Sequence, residues 1–160
     1  MALALGFKIR HLSDLDCEIS VSLNRINREV SGYENHGREA AEVLRPSVLL
    51  AASELASKVL WQRHLHPQFE RLTLNSIHCR FLKGADKSVR VRTNLNEVDR
   101  ERLLRKLRIG EGGECDMPVV VVDSQDQQVA SINCVWSFMT SRPGALPLTS
   151  PDISNEEKKS

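Results

Sequence analysis

Apolar and polar residues alternate along much of this chain with a period of two, interrupted by stretches that suit helices. From Asp16 onward, Cys17, Ile19, Val21 and Leu23 fall on one face while Glu18, Ser20 and Ser22 fall on the other. That is the pattern of a half-buried strand. Asn24 to Gly37 is polar, contains Gly32 and Gly37, and reads as a loop. His36 to Leu44 is expected to form a short helix that stops near Arg45, because the residue before a proline avoids helical backbone.

Pro46 suits the first turn of a second, longer helix. Ser47 to Leu65 has no interior glycine or proline and would span roughly 28 Å at about 1.5 Å per residue. Ala52 and Ala56 are four apart, as are Ser53 and Ser57. Small side chains at that spacing let a helix lie close against another layer. Leu49, Leu55, Val59 and Leu60 add apolar bulk.

Pro67 closes this segment, and strand patterns follow. Ile77, Cys79 and Phe81 alternate with His78 and Arg80, and Val89 and Val91 alternate with Arg90 and Arg92. Lys83 to Asp86 suits a turn between them. Asn96 can cap a charged helix running to about Arg108, with Glu97 and Asp99 in its first turn and Leu103, Leu104 and Leu107 as its apolar stripe. Gly110, Gly112 and Gly113 end it. Met117 to Val122 is a near-continuous apolar run, as in a central strand, and Asp123 to Asp126 is a turn. Ala130, Ile132, Cys134, Trp136 and Phe138 then alternate with their neighbours in the clearest strand of the chain. From Arg142 onward proline, serine and charge dominate, so 143–160 is expected to be a disordered tail behind one domain, 1–142. The predicted order is strand, helix, two strands, short helix, two strands: an α+β arrangement in which the longer helix covers a mostly antiparallel sheet.

Composition narrows the function. At 160 residues the chain is the size of one domain. A formal charge of +1 is far from the basic excess of a nucleic-acid binder. Cys17, Cys79, Cys115 and Cys134 are widely spaced with no CxxC, which suits reduced, mostly buried thiols. No apolar run approaches the ~20 residues a membrane span needs, and the apolar start is too short for a signal peptide. The expectation is a cytoplasmic protein without nucleic-acid or membrane partners. His64 and His66 do not share a helix face and have no evident third ligand nearby, so no metal is expected.

Over roughly Gly6 to Arg142 the sequence resembles the hotdog-fold acyl-CoA thioesterase superfamily, in a thioesterase-like branch with an extra helix between the middle strands. The residues that carry the likeness are Asn24 and Asn27 before the helices, the Pro46 helix, and the strand from Trp136 to Arg142. The resemblance implies a single hotdog domain: a long central helix wrapped by a curved, mostly antiparallel sheet, plus a short extra helix. It implies hydrolysis of an acyl-CoA or acyl-carrier thioester, with no cofactor beyond the coenzyme A of the substrate. It also implies a homodimer or a dimer of dimers, with sites between protomers. The family's helix often opens with His-Gly-Gly and carries an acidic residue nine positions after that His. Here Arg45-Pro46-Ser47 takes the place of that word, a departure at all three positions, and Glu54 takes the place of the carboxylate.

Glu54 is therefore the candidate general base or nucleophile; the alternative is an ordinary helical pair with Lys58. The helix N-terminus at Ser47 could polarise a thioester carbonyl through its free N–H groups, to which Pro46 adds none. Ser53 and Ser57 could hydrogen-bond substrate or water, or simply permit close packing. Asn35 and His36 lie in the loop that, in the resemblance, helps form the acyl pocket. Arg90, with Arg80, Lys83 and Arg92, would suit the phosphates of coenzyme A, unless these are a solvated strand face. No Gly-x-Ser-x-Gly elbow is present, which argues against a serine hydrolase. Two alternatives stay open. One is a non-catalytic acyl-thioester binder. The other is an enoyl-thioester dehydratase using His36, for which Pro46-Ser47-Val48-Leu49 is a partial match, although Ala52 stands where that family has a glutamate.

Overall fold

The computed structural model describes residues 6–31, 41–65 and 71–139. The strands are β1 (Phe7–Leu12), β2 (Asp16–Val21), β3 (Arg28–Ser31), β4 (Ala41–Leu44), β5 (Arg71–Phe81), β6 (Val89–Asn94), β7 (Gly113–Val122) and β8 (Gln128–Met139). The helices are α1 (Pro46–Leu65) and α2 (Glu97–Arg108). Six strands form one antiparallel sheet in the order β1-β2-β6-β7-β8-β5. β3 and β4 pair as a separate hairpin.

Period-two alternation gives this sheet one apolar face. Ile19, Val91, Met117, Val119, Cys134 and Trp136 are all buried on it. α1, 20 residues long, packs against β2, β6, β7 and β8 there. Its small residues make the approach possible: Ala52, Ser53, Ala56 and Ser57 are all fully buried. The serine hydroxyls stay satisfied inside the interface. Ser53 Oγ donates to the Leu49 carbonyl at 2.8 Å, and Ser57 Oγ donates to the Ser53 carbonyl at 2.9 Å.

α2 follows the expected design. Asn96 Oδ1 accepts the Val98 N–H at 2.9 Å, Leu103 is buried, and the helix packs on β7. Gly110 ends it with φ 78°, a left-handed conformation that glycine adopts without strain.

Two expectations need correction. Within the stretch expected to be helical from His36 to Leu44, Ala41–Leu44 is a strand, β4, paired with β3 inside the segment read as a loop. Ala, Glu and Leu favour a helix locally, but cross-strand pairing overrides so weak a preference. β1 was not anticipated either: of its side chains only Phe7 is buried, so no alternation marks it. Asn27 organises the turn before β3. It is fully buried, its Oδ1 accepts the Asn24 N–H at 2.7 Å, and its carbonyl accepts the Arg45 N–H at 2.8 Å. The expected tail lies outside the described residues.

Pro118 sits in the middle of β7, a central strand. The β6–β7 pairing runs from Arg90↔Val122 to Thr93↔Val119 and ends there. The Pro118 carbonyl accepts instead from Thr93 Oγ1 at 2.9 Å. The proline, with no N–H to give, therefore occupies the point where the ladder stops.

Candidate active site

Register and helix phase place the candidate carboxylate. On α1, Leu50, Glu54, Ser57 and Trp61 follow one another at intervals of three and four, so they share a flank. That flank faces β8. Trp136 Nε1 donates to Ser57 Oγ at 3.1 Å, and the Trp61 ring meets Phe138 edge-on with centroids 4.8 Å apart. Glu54 lies level with Cys134, whose thiol burial pushes up, a hydrogen bond with Ser57 lowers, and the nearby Glu54 charge raises further.

β8 in turn pairs with β5, the outermost strand of the sheet. Ile77 is opposite Cys134, Leu74 opposite Trp136 and Leu72 opposite Phe138, so these three lie on the same face as α1. All three are only partly buried. Three rungs result: Glu54 with Cys134 and Ile77, Ser57 with Trp136 and Leu74, Trp61 with Phe138 and Leu72. An apolar strip thus runs along the α1 flank from the carboxylate towards Trp61 and lies open on its β5 side.

Glu54 itself is half-buried and, among the described residues, makes no ion pair with Lys58. Ser47 is exposed in the first turn of α1. The Val48 and Leu49 amides both turn to the Arg45 carbonyl, at 3.0 and 3.4 Å. Arg45 extends away from the helix and donates through Nε to the Arg28 carbonyl at 3.0 Å. Ser53 and Ser57 lie inside the helix–sheet interface, where Ser57 ties β8 to α1. Asn35 and His36 lie outside the described residues.

Arg90 is not brought together with Glu54. Its neighbours Val89 and Val91 are buried beneath α1, so it stands on the opposite, outer face. There it pairs with Asp126 at 2.9 Å and donates to the Asp123 carbonyl at 3.3 Å. Arg92 beside it pairs with Glu18 at 2.6 Å and with Asp126 at 2.9 Å. Both arginines hold the Asp126 carboxyl below its usual range, Arg90 more strongly. A cleft of about 830 Å³ opens on this face, lined by Arg10, Glu18, Arg92, Asn94, Asp116 and Pro118 among others. Some of its polar groups pair with one another, as Arg92 does with Glu18 and as Asn94 does by donating to Asp16 at 2.6 Å, while Asp116 accepts from Asn133 at 2.8 Å. Sequence reasoning missed Trp61, which reads as one more apolar residue of α1, and the β5 residues Leu72 and Leu74, which only the β5–β8 register brings to the site. Among the described residues no group of side chains could hold a metal ion, and no helix is long and apolar enough to cross a membrane.

No protein-family model matches the chain, and no curated protein matches it. Solved structures do. A Pseudomonas aeruginosa protein of unknown function, called a probable thioesterase, is 16% identical over 87% of this chain and 86% of its own, with a TM-score of 0.69. A Haemophilus influenzae thioesterase is 12% identical over 87% of this chain and 82% of its own, with a TM-score of 0.64. A mutant thioesterase from Pseudomonas aeruginosa is 8% identical over 88% and 86%, with a TM-score of 0.65. At such identities the likeness is one of architecture, and with α1 laid on the inner face of the curved antiparallel sheet it settles the class: the chain has the hotdog fold.

Proposed function

We propose that the protein hydrolyses an acyl-CoA thioester, with Glu54 as general base or nucleophile. The observation that carries this reading is the position of Glu54: a half-buried carboxylate at one end of an apolar strip, on the flank of α1 that faces the open sheet edge. The strip takes the acyl chain. The positive end of the α1 dipole, at the exposed Ser47, lies on the carboxylate side of the strip and favours negative charge developing on the thioester oxygen. Glu54 either takes a proton from a water that attacks the carbonyl carbon, or attacks that carbon itself to form an acyl anhydride that water then hydrolyses; in both routes the C–S bond breaks, coenzyme A leaves as its thiol after gaining a proton, and the free acid is released. Only the carrier of the substrate is required, and no cofactor enters.

The protein works as a homodimer or a dimer of dimers, in the cytoplasm. β5 is an 11-residue edge strand with partly buried Leu72, Leu74 and Ile77, and with Phe81 41% exposed. A long apolar edge of this kind is normally covered, and a second copy placed along it would close the strip over Glu54. A panel of acyl-CoA substrates with detection of the released thiol tests the activity. Glu54→Ala is expected to lower kcat by about 100-fold or more, the usual worth of a positioned base. Undiminished turnover in that variant removes Glu54 from the mechanism.

A second reading is favoured by the start of α1. Arg45 is held back against β3, Pro46 has no N–H, and two of the first amides are already engaged. A site with so few donors for an oxyanion suits a protein that binds acyl thioesters without turning them over. A ligand-dependent rise in Tm with no thiol release would support it. The dehydratase reading requires His36, and Ala52, at the position of that family's glutamate, is fully buried in the helix–sheet interface.

A further inference from the structure

The two ladders of β6 end at different points, and the difference opens a fork in the sheet. β6 stays with β2 to its end: Asp16 pairs with Asn94, and the Leu95 N–H donates to the Leu15 carbonyl at 2.7 Å. It parts from β7 earlier, after Thr93↔Val119, since the next residue of β7 is Pro118, which has no N–H to give. β7 meanwhile stays with β8 as far as Gly113↔Phe138. The cleft of about 830 Å³ on the outer face opens over this fork. Its apolar lining is Cys17 and Leu95, both buried, with Pro118 and Val120 on the outer surface. The volume falls within the roughly 300–1,000 Å³ of small-ligand sites, and the make-up matches: apolar walls with a few polar groups.

Charge is distributed unevenly along the cleft. Arg10, His11 and Arg92 lie towards one end, where His11 stands opposite Glu18. Arg92 is taken up by Glu18 and Asp126. Arg10 turns through Nε to Ser20 Oγ at 3.1 Å, four residues along β2 from Asp16 and so about 13 Å away. The end at the fork carries Asp16, Asn94 and Asp116, and Asp99 beside them is paired with Arg102 at 2.9 Å. Asp16 accepts from Asn94 and Ser13, and Asp116 from Asn133, but neither carboxylate meets a cation among the described residues. Asn94 gives its Nδ2 to Asp16, and its Oδ1 has no donor among the described residues.

We propose that the fork binds a primary amine carried on a small apolar body, an aryl- or alkylammonium ion. An ammonium group has three N–H donors and no acceptor. Asp16 and Asp116 stand two strands apart on either side of the fork, about 10 Å between backbones, with Asn94 between them. They and the Asn94 amide oxygen supply three acceptors, two of them charged. The apolar body lies on Leu95, Pro118 and Val120. An anion of the same shape would meet two carboxylates that no cation offsets. The site is on the face opposite α1 and Glu54, so it does not depend on the thioester reading.

The test uses phenethylamine, with 2-phenylethanol as its neutral counterpart and 3-phenylpropanoate as the anion of similar shape. Binding to the full ¹⁵N-labelled chain is read from backbone amide shifts across a titration. The amine should saturate, with shifts centred on Asn94, Leu95, Asn96 and Asp116. The alcohol should bind about 10-fold more weakly, the usual worth of a charge-assisted hydrogen bond, and the acid should not bind. Asp116→Asn keeps the shape, removes one charge, and should weaken the amine about 10-fold while leaving the alcohol unchanged. Glu114→Gln removes a charge from the same strand outside the cleft and should change neither. No saturation by the amine, shifts centred elsewhere, or equal binding of amine and alcohol overturns the proposal, and this ranking on the unaltered protein needs no variant to fold. An amine affinity that survives Asp116→Asn, or that falls as far in Glu114→Gln, overturns it as well. Turnover of acyl-CoA, present or absent, bears only on Glu54.

Discussion

The two helices of this domain hold their places by opposite means. α2 is strongly amphipathic: a narrow leucine stripe, a capped start, charges elsewhere, and a single strand, β7, to rest on. α1 shows almost no separation of apolar from polar residues, yet it is the more deeply buried of the two. Its attachment comes from size rather than hydropathy, since alanines and serines let it approach four strands at once. Amphipathicity seats a helix on a surface, whereas small residues seat one inside a curved sheet.

The largest effect should come from filling the close contact. Ala56→Leu is expected to destabilise by about 3 kcal/mol in urea unfolding, the upper end of ordinary overpacking. Arg105→Leu on the exposed side of α2 should change stability by less than about 0.5 kcal/mol. Equal effects would end the contrast between the helices. Next comes the polar tie of α1. Ser57→Ala removes the acceptor of the buried Trp136 N–H and should cost about 2 kcal/mol. Ser53→Ala removes only a bond back to its own helix, and should stay within about 0.5 kcal/mol. A third and smaller effect belongs to α2: Asn96→Ala should cost about 1 kcal/mol, the usual worth of an N-cap, read as a lower denaturation midpoint.

The smallest test changes nothing in the chain. Cys17 and Cys134 lie on the face that α1 covers, and Cys115 lies on β7 beneath α2. Burial pushes the Cys17 and Cys115 thiols up to about 11, and a protonated thiol is a poor nucleophile. Cys79 is exposed and covered by neither helix. Titration of the native protein with an aromatic disulfide should find one fast thiol, lost in Cys79→Ser, and the other three only on unfolding. Several fast thiols would mean that one helix lifts readily from the sheet.

Much of this architecture was legible in the sequence, and the failures have physical causes. α1 could be read because Pro46 fixes its start and the alanine and serine spacing declares a close contact. α2 could be read from Asn96, Glu97, Asp99 and its leucines. β2, β6 and β8 could be read because one face of each is buried. β1 was hidden because it is an edge strand with Lys8, Ile9, Arg10 and His11 all exposed. β3 and β4 were hidden because four-residue strands carry too few residues for a period, and Val30 faces solvent at 64% exposure. Within the candidate site, the resemblance singles out Glu54 but not its surroundings. Trp61 reads as one more apolar residue of a helix, and Leu72 and Leu74 acquire meaning only through the β5–β8 register. Alternation puts Arg90 on the polar face opposite Val89 and Val91, where it stands, but carries no information on its place relative to Glu54.

Pro118 has a consequence for how the chain finds its alignment. In the native pairing it stands just past the last β6–β7 rung, where its missing N–H costs nothing. Slide β7 by two residues in the direction that brings Pro118 opposite Arg92 and the proline enters the ladder, where pairing needs a donor that proline lacks. A two-residue slip preserves which side chains face inward, so hydrophobic patterning alone would not oppose it. The proline acts as a proofreader against slippage in that direction, rejecting an error that the alternating pattern would let pass.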